Sequence, residues 1–232
     1  TYWKGAARDM GRDAGATLVM QTAGKKGWFW FIPLADDLTS VGVVADFDHL
    51  FKNRATKDPE VIYAEEVACC PGLQPRLVGA ERVEPFRIAK EYSYRSRQVA
   101  GDGWVLVGDA LGFLDPLYSS GILLALKSGA LAADAIASGL AADNTSAGAL
   151  GTWGPGYLAG MDRMRKLVCA FYDGLNFGGI VRRHGDAKAL LTDILIGDFF
   201  KDTIDVLWPL LDEKPEVSRQ GAVSAAGADP AG

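Results

Sequence analysis

The sequence predicts an α+β chain, with an antiparallel sheet in the first half, helices in the second, and a strand–turn–helix passage between them. Three observations carry this. Runs rich in Val, Thr and aromatic residues stand close together at Thr17–Thr22, Gly27–Leu34 and Thr39–Ala45, and Asp36-Asp37 supplies a turn between the last two. Beyond residue 121 the apolar positions recur at helical spacing. Between these regions the short run Trp104-Val-Leu-Val107 has the character of a buried strand and ends at Gly108-Asp109.

Taken in order, the run Gly27–Leu34 places Trp28, Trp30 and Ile32 on one strand face and Phe29, Phe31 and Pro33 on the other. Both faces are apolar, which predicts a sheet covered on both sides. Pro59 to about Cys69 predicts a short helix with proline in its first turn. Two further strands are expected near Arg82–Ile88 and Tyr92–Val99. A long helix over Ile122–Leu140 carries small residues at Ser128, Gly129 and Ala133, which suit close packing. Asp143–Gly156, rich in Gly, Ser and Thr, is expected to be a connection. Tyr157, Met161, Met164, Val168, Phe171 and Leu175 mark the next helix. Another is expected to start with Asp186 as its cap and to run through Leu190, Leu191, Ile194 and Leu195. The polar, Ala/Gly-rich tail from about Glu213 is expected to be disordered.

Composition narrows the function classes. The 232 residues hold 24 basic and 29 acidic side chains, a net charge of −5, so a polyanion gains no electrostatic help. No Lys/Arg run with interleaved aromatics occurs, which argues against nucleic-acid binding. The cysteines, Cys69, Cys70 and Cys169, have no CxxC spacing and read as reduced thiols of a cytoplasmic protein. His49 and His184 are far apart in sequence with no ligand-spaced cluster beside them, so no metal site is expected. No apolar run is expected to span a bilayer. The chain starts at Thr1 rather than Met with no targeting pattern, which is read as a fragment or a processed chain.

The chemistry lies in Trp104-Val-Leu-Val-Gly-Asp-Ala-Leu-Gly-Phe-Leu-Asp-Pro-Leu-Tyr-Ser-Ser-Gly-Ile122. A strand ending in Gly-Asp brings a carboxylate to the carboxyl edge of a sheet, where ligands bind in α/β proteins. Asp109 can there accept hydrogen bonds from ligand hydroxyls, and Gly108 lets a ligand or backbone approach closely. Ser119-Ser120-Gly121 opens the long helix, whose free N–H groups and positive dipole end seat negative charge. A Gly-Asp pair by itself also fits a plain turn with Asp109 as a cap, and Asp115-Pro116 fits a common turn.

Gly108-Asp109-Ala110…Asp115-Pro116…Ser120-Gly121 resembles the second FAD-binding motif shared by flavoprotein monooxygenases, geranylgeranyl reductases and flavin-dependent halogenases. Gly27-Trp28-Phe29-Trp30-Phe31-Ile32-Pro33 resembles the Trp-x-Trp-x-Ile-Pro signature of the halogenases, thought to discourage monooxygenation by keeping substrate away from the flavin. The resemblance implies that Asp109 holds the ribityl chain and that Pro116 and the backbone of Gly121-Ile122 flank the isoalloxazine ring, with Gly108 giving close approach. It also implies a chloride or bromide site near the N–H groups of Ser119, Ser120 and Gly121, and a substrate side that includes Trp28, Trp30 and Tyr118. Reduced FAD would come from a separate flavin reductase, and the substrate would be a small aromatic molecule. Residues 1–98 would then be the substrate-binding sheet, 99–142 the last strand and helix of an FAD-binding domain, 143–212 a helical C-terminal part, and 213–232 the tail.

Three departures qualify the resemblance. No GxGxxG follows a first strand. The family's lysine for hypohalous acid belongs to the same absent N-terminal part, so the catalytic residue is unknown, and Lys25, Lys26, Lys90 and Lys127 are expected to be surface residues. Tryptophan halogenases carry a glutamate where Tyr118 stands, which points toward phenol- or pyrrole-type halogenases. The alternatives are a geranylgeranyl reductase-type enzyme and an inactive or partner-binding fragment.

Overall fold

β3 (Gly27–Pro33) and β4 (Leu38–Ala45) form the longest hairpin of the chain, registered from Gly27↔Ala45 to Pro33↔Thr39. Asp36 and Asp37, with φ of 56° and 61°, make its turn; Asp is among the few side chains that tolerate this left-handed backbone. The computed structural model describes residues 1–90 and 92–212. It has two compact units, Thr1–Tyr92 and the chain from Ser93 onward.

In the first unit β1 (Tyr2–Lys4), β2 (Leu18–Gln21) and a two-residue β5 (Glu81–Arg82) complete a five-stranded sheet in the order β2-β3-β4-β1-β5, antiparallel throughout. α1 (Pro59–Ala68) starts at Asp58, whose carboxylate accepts the Glu60 N–H at 2.9 Å, with Pro59 at the first helical position. Its Tyr63 joins Phe29, Phe31, Val41 and Leu73 in the core, and all five are buried. Each buried Phe contributes about 1.5–3 kcal/mol through removal of its ring from water.

In the second unit β6 (Tyr94–Arg95) pairs with β9 (Gly112–Phe113), and β7 (Ala100–Gly101) with β8 (Trp104–Val105). The helices are α2 (Gly121–Ala141), α3 (Ala147–Leu150), α4 (Gly154–Tyr172), α5 (Phe177–Arg183), α6 (Ala187–Leu195) and α7 (Leu207–Asp212). α4 supplies Tyr157, Met161, Met164 and Leu167 to a core shared with Leu111, Leu124 of α2 and Ile194 of α6. Arg163 of α4 is buried but fully paired: its guanidinium meets Asp202 at 2.6 Å and Asp205 at 2.8 and 2.9 Å. The Arg163 guanidinium first, and then the Trp208 indole N–H, which donates to Asp205 at 2.8 Å, hold the Asp205 carboxyl well below the usual carboxylate range.

Strand, hairpin and most helix expectations agree with the structure, and several details differ. The strands expected over Arg82–Ile88 and Tyr92–Val99 shrink to β5 and β6; Pro85 cannot donate to a ladder in the first, and in the second Ser96 folds back to accept the Gln98 N–H at 3.2 Å. Trp104–Val107 is not a buried strand: Trp104 and Val107 are exposed and only Trp104–Val105 pair. The face of β3 carrying Trp30 and Ile32 is half-buried rather than covered. The connection Asp143–Gly156 contains α3, capped by Ser146. Asp186 stands at the start of α6, yet its side chain makes no capping bond. α2 is, by length and composition, apolar enough to cross a membrane, against the expectation; it also carries Lys127 and Asp134 and buries Leu124, Ser128, Ala132 and Gly139. The expected disorder from Glu213 lies outside the described residues.

Candidate functional site

β8 leads into a tight 3-10 turn, Gly108–Ala110, which packs against the first turns of α2. Gly108 has φ +54°, a left-handed conformation that favours glycine. Its N–H donates to Ser128 Oγ at 2.9 Å, and a Cβ added to it would meet the Ala125 Cβ at 3.4 Å. The Ser128 hydroxyl donates in turn toward the carbonyls of Leu124 at 2.9 Å and Ala125 at 3.0 Å, and Tyr157 Oη donates to the same Leu124 carbonyl at 3.1 Å. Burial pushes the Tyr157 hydroxyl pKa up, so it stays a donor. From the other side the Tyr94 hydroxyl donates to the Asp109 carbonyl oxygen. The Asp109 backbone is thereby fixed while its side chain is exposed.

The next turn is built by Asp115. One of its carboxylate oxygens accepts the Leu117 N–H at 2.9 Å and caps the 3-10 turn Pro116–Tyr118, and the other accepts the Tyr172 hydroxyl at 2.9 Å. Ser119 then takes a left-handed conformation (φ 53°, ψ 34°), a cost of about 1–2 kcal/mol for a residue with a Cβ. The Ser119 N–H donates to the Pro116 carbonyl at 2.9 Å. Ser120, buried at the cap position of α2, makes no side-chain capping bond, so the first-turn amides of the helix meet no capping hydroxyl. Pro116, Gly121 and Ile122 are exposed. A Cβ on Gly121 would meet nothing within 4 Å, so protein packing does not demand glycine there. Tyr118 is half-buried beside Phe171, and its hydroxyl oxygen is buried with no hydrogen-bond partner among the described residues. Burial first, then Tyr172 and Asp115, push its pKa up.

The Trp28–Trp30 pair belongs to the first unit. Their rings meet edge-on with centroids 6.4 Å apart. Trp28 is buried, and Trp30 lies over Gly42, its cross-strand partner, while its indole N–H donates to Ser40 Oγ at 3.1 Å.

The structure thus gathers Gly108, Asp109, Pro116, Tyr118, Ser119, Ser120, Gly121 and Ile122 on two consecutive turns and the start of one helix. Trp28 and Trp30 stand in a separate unit. Lys25, Lys26, Lys90 and Lys127 are exposed. His49 is not isolated: its Nε2 lies 2.9 Å from Glu66, a buried carboxylate that also binds Arg54. Sequence reasoning missed Tyr94, Tyr157 and Tyr172 as supports and gave Ser128 no role beyond smallness. The helical spacing from Leu124 to Ser128 was the available signal for the latter.

Residues 10–176 match the family model described as tryptophan halogenase. A tryptophan 2-halogenase of Chondromyces crocatus is 37% identical over 74% of this chain and 33% of its own length. A 1H-pyrrole-2-carbonyl-[peptidyl-carrier protein] brominase of Pseudoalteromonas luteoviolacea is 34% identical over 58% of this chain and 33% of its own. The solved structure of the flavin-dependent brominase Bmp2 superposes with a TM-score of 0.79 at 28% identity, covering 90% of this chain and 52% of that one. The chain therefore spans about a third of these curated relatives and about half of the solved structure.

Proposed function

The chain belongs to the tryptophan halogenase family of flavin-dependent halogenases, and from that membership we propose that it supplies the second flavin-binding motif and the substrate-side sheet of an enzyme that halogenates a small aromatic molecule. The observation that carries this is the opening of α2. The helix start has no side-chain cap, Gly121 has open space in front of it, and Asp109 is exposed on a turn packed against the same helix, so backbone donors and one carboxylate are both open to a ligand.

These residues fit reduced FAD. Asp109 accepts hydrogen bonds from ribityl hydroxyls. The N-terminal amides of α2 and its positive dipole end receive the negative edge of a reduced flavin. Pro116 gives a rigid apolar flank. Such a cofactor supplies activation of dioxygen and, with it, oxidation of chloride or bromide. Because the Ser119 N–H is engaged by Pro116, halide binding falls to the amides of Ser120 and Gly121. Tyr118, in the place of the family's glutamate, favours a phenol- or pyrrole-type acceptor, and the Trp28–Trp30 strand belongs to residues 1–98 on the substrate side. A separate reductase delivers the reduced flavin. The reductase-type alternative loses ground, since each relative named above is a halogenase.

The test is to supply the full-length enzyme that carries this sequence with reduced FAD, oxygen, bromide or chloride, and simple phenols or pyrroles, and to follow products by mass spectrometry. Halogenated product supports the proposal. Consumption of reduced FAD and oxygen without any halogen incorporation contradicts it.

A further inference from the structure

We infer that Ser128 and Tyr94 are positioning residues for the flavin site: they clamp the Gly108–Asp109 turn from opposite sides and so fix where the Asp109 carboxylate stands. The inference rests on the flavin reading of Asp109.

A side chain that anchors a cofactor must be presented by a rigid backbone, because ordering a mobile one on binding subtracts from affinity. Asp109 itself makes no such rigidity: its side chain is exposed and it sits in a three-residue 3-10 turn. What immobilises the turn comes from elsewhere. Ser128, wholly buried about two helical turns into α2, accepts the Gly108 N–H at 2.9 Å across 20 residues of sequence. A buried serine in a helix ordinarily spends its hydroxyl on the carbonyl one turn back. Here the hydroxyl does so, toward Leu124 and Ala125, and its oxygen is still free to receive the amide of a residue whose left-handed backbone aims that amide inward. The acceptor is fixed in turn, since Tyr157 Oη holds the same Leu124 carbonyl. On the far side the Tyr94 hydroxyl bonds the Asp109 carbonyl, and the strand pairing of Tyr94 with Phe113 anchors Tyr94 itself. The Val107–Gly108 peptide group is thus tied through its N–H to the helix that opens at Gly121, and the carbonyl of Asp109 is tied to β6. Both ligand-facing parts, the carboxylate and the helix start, are locked to one another through Ser128.

Ser128→Ala and Tyr94→Phe each remove one hydroxyl and leave Asp109 in place. The expected results are faster hydrogen exchange at the Gly108 amide in Ser128→Ala, and FAD binding weakened by up to about tenfold in each variant, the upper end of what one intramolecular hydrogen bond is worth. Flavin fluorescence titration of this chain gives the dissociation constants. The decisive readout is the double-variant cycle with Asp109→Ala: residues that act through Asp109 lose most of their effect once its carboxylate is gone, whereas a merely structural role weakens binding equally in both backgrounds. Tyr94 is exposed, so Tyr94→Phe decides the matter if Ser128→Ala fails to fold. Equal losses in both backgrounds, or no loss in either variant while Asp109→Ala weakens binding, overturn the inference and leave the flavin reading standing. No effect of Asp109→Ala, or no FAD uptake by the unaltered chain, overturns the reading and the inference with it.

Discussion

Replacing Gly42 with alanine tests how the second tryptophan of the aromatic strand is held. Gly42 faces Trp30 across the β3–β4 hairpin, and an added Cβ would lie 2.0 Å from Cζ2, 2.2 Å from Cη2 and 2.6 Å from Cε2 of that indole. No such contact is tolerable, so the ring must swing away. Doing so breaks the Trp30 N–H bond to Ser40 Oγ, worth about 0.5–1.5 kcal/mol net. Forcing a ring out of a packed position adds about 1–3 kcal/mol. The better strand entropy of alanine returns about 0.5–1 kcal/mol. The expected destabilisation is about 2 kcal/mol, read from urea unfolding, together with loss of the near-ultraviolet dichroism of the Trp28–Trp30 pair. In a Trp30→Leu background the penalty should fall below about 0.5 kcal/mol, since the obstructing ring is gone. A Gly42→Ala chain that keeps both its stability and its dichroism would refute this account of the strand.

Other expectations follow from the same geometry. Gly108→Ala forces a Cβ into left-handed backbone and should cost about 1–2 kcal/mol in urea unfolding, with weaker FAD binding. Tyr118→Phe removes a buried hydroxyl that has no partner among the described residues, so the ligand-free chain should become more stable by about 1 kcal/mol; a loss of stability would show that the hydroxyl is satisfied. Asp205, whose carboxyl is depressed by Arg163, stabilises the fold at every pH above its ordinary value of 3.8, and that contribution disappears as pH falls through the lowered one. The melting-temperature gap between the native chain and Asp205→Asn should therefore be flat from pH 7 to 5 and close only below about pH 4. A gap that closes near pH 6 would contradict this assignment.

The parts of the fold that sequence made legible are those in which local pattern and burial agree. The Gly27–Leu34 and Thr39–Ala45 runs are β-rich on both faces and have an Asp-Asp turn between them, so their antiparallel pairing was readable, though not its register. Tyr157, Met161, Met164 and Val168 mark the buried face of α4 for the same reason. Between Gly108 and Ile122 glycine, proline and serine made a turn-rich stretch ahead of a helix readable, while the ligand role of these residues came from the resemblance. What stayed hidden depends on distance. Arg82–Ile88 and Tyr92–Val99 have strand-like side chains, but a strand needs a partner ladder, and only short stretches found one. The clamp on Asp109 joins positions 94, 108, 128 and 157, and no local pattern signals a hydrogen bond across 20 residues. The engagement of the Ser119 amide by Pro116 turns on a left-handed serine that composition does not foretell. The contact of His49 with buried Glu66 spans 17 positions, so spacing alone made the histidine look isolated.

On the proposed reading, the Gly108–Asp109 turn and the start of α2 form a flavin site. Its most direct test is titration of FAD into the purified chain, followed by flavin absorbance and by melting temperature, with Asp109→Ala alongside. Saturable binding that raises the melting temperature is expected, and it should be clearly weakened yet still measurable in Asp109→Ala, which should melt as the native chain does without FAD because the exposed Asp109 side chain bears no packing. Binding that persists unchanged in the variant, or a folded native chain that takes up no FAD, would contradict it.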